Sequence, residues 1–376
     1  MKAFTTALCI SLLLLSACRG GGRARGGAAP GDTLPLRHAE NLTLVDHGDY
    51  TVASLRNPWD TLEALHTYIL VERTKPLPAD LPPGTLVRTP LERSLVYSAV
   101  HCSLADQLGA AGQIAGVCDL DYIHLPAIRQ GCRSGRIADC GNSMNPDIER
   151  IIDLHPDAIL LSPYEDNGGY GRIGKLQIPL IECADYMETS PLGRAEWMKF
   201  YGRLFGKQAE ADSLFARVEA AYLRLKQRAA RSATRLTAVT EMLTGPAWYV
   251  PGGRSTTGRL FRDAGGDYAF ASMPHSGAVP LAFEAVFDKA GEADVWLIKY
   301  NSPHDMTYPR LRAEHAGYAA FKAFRRRNVY GCNTARVPFY EETPFRPDLL
   351  LSDFIQILHP DIQDLGGLRY FCKLEP

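Results

Sequence analysis

The stretch from Gly193 to Ala230 most constrains what this chain can fold into. It holds no proline, and its apolar residues fall at three- and four-residue steps: Trp197, Phe200, Tyr201, Leu204 and Phe205, then Leu214, Phe215, Val218, Tyr222 and Leu225. That spacing is the signature of a helix with one buried stripe. Gly206-Lys207 marks the point at which it can break or bend. Strand-like and helix-like segments alternate on both sides of it. Two α/β lobes on a stiff connector, with a cleft between them, would give this pattern. One large α/β domain with an ordinary crossover helix here would give it equally well.

The 376 residues, 46% hydrophobic and 22% charged, suffice for one large core or two lobes of ordinary size. A formal net charge of −1 provides no basic footprint for nucleic acid. Met1-Lys2 precedes an apolar run, Ala7 to Leu15, which is too short to span a bilayer and has the form of a secretory signal. Leu15-Ser16-Ala17-Cys18 follows and resembles a bacterial lipobox. That resemblance implies removal of residues 1–17 and acylation of Cys18 as the mature N-terminus, with several acyl chains on one residue giving a stable anchor. Arg19 to Gly31 is rich in Gly, Ala and Arg, so 18–40 reads as a flexible, lipidated tether. A plain signal peptide with an incidental cysteine is the alternative.

Seven cysteines follow Cys18: Cys102, Cys118, Cys132, Cys140, Cys183, Cys332 and Cys372. A secretory compartment permits disulfides, and an odd count leaves at least one thiol unpaired within the chain. Cys132 and Cys140 bracket a glycine-rich polar loop and are the pair best placed for a bridge. No C-x-x-C spacing occurs, which argues against a zinc ribbon or a thioredoxin-like motif. Most of the others read as small buried apolar residues.

Residues 41–90 look β-rich. TVASLR alternates and breaks at Asn57-Pro58, LHTYILVE is a second apolar run, and the prolines from Pro76 to Pro90 keep the chain extended or turning. This is a strand extension laid on a first lobe, 41–192. In that lobe Ser94–Ser98 and Ile114–Cys118 read as strands around a helix from Val100 to Leu108. Asn145 is placed to cap a helix with Pro146 at its first position. Ala158–Leu161 and the LIECA run within Leu176–Ala184 are further strands. The connector takes 193–231 and the second lobe 232–376. There Leu236–Leu243, Val295–Tyr300 and Val329–Cys332 read as strands, and Leu281–Lys289, Arg310–Arg326 and Pro347–Leu358 as helices. Ser255 caps a short helix after a glycine-rich loop. Alternation of this kind produces mainly parallel sheets flanked by helices.

The order of these segments resembles the periplasmic substrate-binding proteins of the cobalamin and ferric-siderophore class. The matching stretches are Ser94–Asp119, NPDIERIIDLHPDAILLS at Asn145–Ser162 and LQIPLIECA at Leu176–Ala184. In the second half they are Val250–Asp267, Pro280–Tyr300, and Ala320–Cys332 with the closing FRPDLLLSDFIQILHPDI. Each motif alone is weak; the ordered set, with the lipobox and the mid-chain helix, is specific. The β-rich extension and the cysteine-rich loop 129–142 depart from the usual pattern.

The resemblance implies an α/β protein of two lobes joined by a single long α-helix, with a ligand cleft between them. It implies a non-enzymatic, monomeric solute-binding lipoprotein of an ABC importer, without a cofactor, on the periplasmic face of the cell envelope. Its cargo would be a ferric chelate, with cobalamin as the alternative, delivered to a permease in the inner membrane. The resemblance also implies one permease-docking glutamate in each lobe, position-matched by Glu149 in NPDIERI and Glu284 in PLAFEAVF. Two such carboxylates would make a salt-dependent, two-point grip. Glu149 alone is equally explained as an acid in the positive first turn of a helix.

Ligand contacts are expected from loops at strand C-termini. These are Tyr97, His101, Tyr122 and Tyr164 in the first lobe, and Trp248, Tyr249, Arg254, Lys299 and Tyr300 in the second, with Tyr340 before the last helix. Aromatic rings stack on flat macrocycles or catecholates, and Arg or Lys neutralises an anionic chelate. For any one aromatic, core packing or loop anchoring is the competing role. Trp248-Tyr249 is the favoured pair, because it precedes Pro251-Gly252-Gly253 in a polar loop.

A zinc- or manganese-binding protein of the same architecture would use His101 and His124, but no His-rich acidic loop is present. A chelatase-like enzyme would use His101 or His275, yet the sequence has no G-x-S-x-G, H-E-x-x-H or P-loop pattern. A purely structural lipoprotein would not be expected to match binding-protein segments in both halves.

Overall fold

The computed structural model describes residues 31–376 apart from 61, 166–167 and 363. The expected signal segment, Cys18 and most of the expected tether lie outside the described residues. In the first lobe, five parallel strands lie in the order Leu180–Glu182, Ala158–Leu161, Ser94–Val96, Ile114–Val117 and Ala138–Asp139. The three central strands are short and buried throughout, as parallel strands covered by helices must be. In the second lobe, Asp267–Tyr268, Thr237–Thr240, Val295–Tyr300 and Val329–Asn333 run parallel. Cys372–Lys373 adds an antiparallel edge. A ribbon of Leu243–Thr244, Ala247–Pro251 and Ala278–Leu281 leaves the same lobe. The architecture is the expected one: two α/β lobes with parallel sheets between helices.

The β-rich extension is a third five-stranded sheet, from Asp32–Thr33 to Thr85–Thr89, antiparallel except for its last pair. Tyr68 ties it to the first lobe. Its buried hydroxyl donates to Leu180 O at 3.0 Å and accepts from Glu182 N at 2.8 Å. A neighbouring strand would make those same two bonds, so the edge of the parallel sheet is covered rather than exposed. Between the first two strands of the extension the chain crosses the connector as a strap, so residues 32–40, expected as the end of a flexible tether, belong to the extension and the strap instead. The N–H groups of Arg37, His38 and Ala39 donate to Glu196, and those of Glu40 and Asn41 to Glu188.

The helical stretch is helical, but as three pieces: Pro191–Glu196, Met198–Leu204 and the connector helix proper, Gln208–Ala229. The break falls at Gly206-Lys207, as the sequence suggests. Gly206 takes a left-handed φ of 65°, and a Cβ there would sit 3.0 Å from the Pro90 ring. The expected 193–231 helix is therefore shortened to its second half.

Three other expectations are corrected. Asn145 does not cap a helix: Asn145–Pro146 pairs with Gly141–Asn142 in a hairpin, and Asp147 caps Ile148–Leu154 by accepting from Arg150 N at 3.1 Å. Cys132 and Cys140 are not bridged, and all seven described cysteines are free. Cys132 is held on the helix Pro126–Arg133, whereas Cys140 is buried beyond the strand Ala138–Asp139. The expected helix Arg310–Arg326 is interrupted, because His315 and Phe321 are extended and each starts a new short helix.

Candidate functional site

A cavity of about 860 Å³ opens at the C-terminal ends of the first lobe's strands. Tyr97 and Ser98 follow the strand Ser94–Val96, Ser162 to Tyr164 follow Ala158–Leu161, and Cys183, Asp185 and Tyr186 follow Leu180–Glu182. Strand order reverses between Ser94–Val96 and Ala158–Leu161. Crossovers leave such a point toward opposite faces, so a crevice opens between them. Five tyrosines line it, Tyr97, Tyr122, Tyr164, Tyr170 and Tyr186, with Met144 and the guanidinium groups of Arg172 and Arg194. Tyr122 and Tyr164 are exposed rings, 70% and 49% accessible. Tyr170 is fixed by its hydroxyl bond to Glu182 Oε1 at 2.6 Å, and Tyr186 donates to Pro163 O. The buried Tyr97 hydroxyl has no partner, which marks it as a donor left for something else.

The floor is charged. His101 Nε2 lies 2.8 Å from Asp185 Oδ1, the Tyr201 hydroxyl donates to the same oxygen at 2.8 Å, and Arg194 Nε donates to Oδ2 at 3.0 Å. Burial alone would pull the His101 pKa down, but Cys183 and Asp185 beside it outweigh this and hold it at about 10. Burial alone would push Asp185 up, but His101 and Arg194 hold it at about 2. At neutral pH the floor is thus one carboxylate between an imidazolium and a guanidinium, with one positive charge in excess. Such a floor suits an anionic ligand.

Of the ten expected ligand residues, the structure brings Tyr97, His101, Tyr122 and Tyr164 together. It does not bring the second-lobe set to this cavity. Trp248 is core: it is fully buried, stacked on Trp296 with centroids 5.6 Å apart, and its Nε1 donates to Thr240 O at 2.9 Å. Lys299 is paired with Glu241 at 2.7 Å and lies over the Phe339 ring. Burial would lower its pKa, but Glu241 outweighs this and raises it. The Tyr300 hydroxyl accepts from Met306 N at 2.8 Å. Tyr249, Arg254 and Tyr340 are exposed but line no part of the cavity. Tyr340 lies next to Glu341, whose Oε1 accepts from His124 N at 2.7 Å, so its chain segment meets the one carrying Tyr122.

Sequence reasoning missed Tyr170, Tyr186, Arg172 and Arg194. Tyr186 follows a strand end, as Tyr164 does, and the same rule would have found it. Arg194 had no such signal, because it sits in the helical stretch read as connector. Glu149 and Glu284 are both exposed, each in the first turn of a short helix, one in each lobe. Among the described residues, no group of three or more His, Cys, Asp or Glu is placed to hold a metal ion.

A family model described as periplasmic binding protein matches residues 96–335. An uncharacterized lipoprotein of Methanocaldococcus jannaschii is 25% identical over 296 residues, covering 77% of this chain and 70% of the relative. A periplasmic heme binding protein from Pseudomonas aeruginosa superposes with a TM-score of 0.59 at 13% identity, over 76% of this chain and 99% of that one. A structure from Saccharomonospora viridis, described as an ABC-type Fe3+-hydroxamate transport system, gives 0.55 at 18% identity, over 71% and 93%. At these identities the two structures speak for the fold.

Proposed function

This chain belongs to the periplasmic binding protein family, and on that premise we propose that it is the solute-binding lipoprotein of an ABC importer for an anionic metal chelate. A ferric siderophore or related iron complex is the cargo this reading favours. The observation that carries it is the first-lobe cavity: about 860 Å³, five tyrosine rings, and His101, Arg172 and Arg194 set against the carboxylates of Asp119 and Asp185, which leaves one positive charge in excess. Rings supply flat contact for aromatic chelating groups, and the cations offset the charge that chelation leaves on the complex. Cobalamin is bulkier and less anionic, and it would draw on the rings but leave the arginines without an anionic partner. The chain acts by capture and release rather than by bond-making, and nothing in the proposal calls for a catalytic residue. The N-terminal cysteine, acylated, would hold it at the periplasmic face of the envelope.

Glu149 and Glu284 are the proposed contacts to the permease, one on each lobe and both free of side-chain partners among the described residues. Two experiments test the reading. Equilibrium dialysis of the full chain against haem, cyanocobalamin and a panel of ferric siderophores should show saturable binding of a ferric complex, weakened by Arg172→Gln. Binding of cyanocobalamin alone would shift the cargo, and silence across the panel would sink the chelate reading. In cells, Glu149→Arg with Glu284→Arg should abolish uptake while leaving binding intact; retained uptake would remove the docking assignment.

A further inference from the structure

A second cavity, of about 210 Å³, lies where the strap, the connector helix Gln208–Ala229 and the second-lobe helix Thr256–Asp263 meet. It shares no lining residue with the first. Three cationic side chains line it, Lys226, Arg259 and Arg262, against one carboxylate, Asp263. That carboxylate is already engaged: Lys226 Nζ stands 2.8 Å from Oδ1, and the Tyr222 hydroxyl donates to Oδ2 at 2.9 Å. The guanidinium groups of Arg259 and Arg262 have no hydrogen-bond or ion-pair partner among the described residues. They stand three residues apart on one helix, where like charges repel unless a counter-charge is shared. Across the cavity the Ser190 oxygen accepts from Gly193 N at 3.2 Å, which leaves its O–H free to donate.

We propose that this cavity is a binding site for a phosphate-type oxyanion, held by the Arg259 and Arg262 guanidinium groups with Ser190 as a neutral donor. Guanidinium forks match phosphate oxygens in shape and charge. The space takes a single phosphate group and excludes a bulky chelate. Ser190 caps the first helix of the connector region and the arginines belong to the second lobe. A bound anion therefore bridges the connector to that lobe, and binding to the folded chain alone stabilises it. The phosphate is either free in solution or the headgroup of an anionic lipid.

Thermal unfolding of the full chain in inorganic phosphate, against sodium chloride of equal ionic strength, tests the site. Millimolar phosphate should raise the midpoint by about 2 °C or more. Arg259→Gln with Arg262→Gln should lose that rise while keeping a midpoint within about 2 °C of the parent in chloride. Should the pair fail to fold, Arg262→Gln alone, at an exposed position, should cut the rise by at least half. An equal rise in chloride, or an undiminished rise in either variant, overturns the site. Co-sedimentation with phosphatidylglycerol vesicles, referenced to phosphatidylcholine, separates the sources. Extra binding that phosphate displaces and the variants lack identifies a lipid headgroup. A phosphate response without extra vesicle binding identifies the free ion. Extra vesicle binding that neither phosphate nor the variants reduce, with no phosphate response, overturns the proposal.

Discussion

The two lobes carry the same kind of sheet and fill its reversal point differently. In the first lobe the crevice between Ser94–Val96 and Ala158–Leu161 is open and floored by His101, Asp185 and Arg194. In the second lobe the corresponding crevice, between Thr237–Thr240 and Val295–Tyr300, is spanned by an ion pair of Glu241, which follows the first strand, and Lys299, next to last in the second. The ribbon then places Trp248 beside Trp296, Tyr318 and Phe321. A shared topology thus decides where a site can form, while local side chains decide whether it stays open.

The largest expected effect breaks the filled side. Trp248→Ala removes a fully buried indole and should cost about 3–5 kcal/mol of stability, read by urea unfolding, with chelate affinity of the folded fraction unchanged. Lost affinity would return Trp248 to the cleft.

Next is the charged floor of the open side. Asp185→Asn strips a buried imidazolium of its counter-charge and should cost about 3 kcal/mol. The pH profile carries the sign. His101 is raised to about 10, so its stabilisation is complete below the ordinary histidine range and is lost as pH rises through about 10. Asp185 is depressed to about 2, so its share is present above the ordinary carboxylate range and is lost as pH falls through about 2. Unfolding free energy of the parent should therefore fall between about pH 6.5 and 10. Asp185→Asn should flatten that slope, and an unchanged slope would place the titration elsewhere.

Smaller effects sharpen the contrast. Tyr122→Ala and Tyr164→Ala remove exposed rings, so each should change stability by less than about 0.5 kcal/mol. Each should weaken chelate binding by about 2- to 10-fold in dialysis. Stability loss without affinity loss would mean that the rings serve the fold. Tyr68→Phe removes the hydroxyl that covers the edge strand and should cost about 1 kcal/mol, visible as faster amide exchange at Glu182. No change there would show that the extension covers the edge without that bond.

How much was legible follows from the kind of signal. Val295–Tyr300 and Pro347–Leu358 were readable to the residue, because an apolar run and a proline at a helix start are local signals. Ser255 caps its helix, accepting from Gly258 N, for the same reason. Asn145 and Pro146 carried equally good helix signals and failed, because their backbone pairs with Gly141–Asn142 just upstream in a local hairpin and the cap falls to Asp147. At the cavity, the first-lobe lining residues were legible because strand ends converge where a parallel sheet reverses. Trp248 and Tyr249 show the limit. Adjacent residues of a strand face opposite ways, and a loop reading cannot say which one is covered.

The sequence by itself determined the alternation of strands and helices, the break at Gly206, the β-rich extension and the likeness to a binding-protein family. Each rests on spacing along the chain or on backbone preference. Only the tertiary structure decided that the open cavity lies at the first lobe's strand ends, that Trp248 is core, that Lys299 is already paired and that Arg194 reaches the cavity floor. Burial and charge pairing depend on which distant segments arrive at a residue, and no local pattern carries that information.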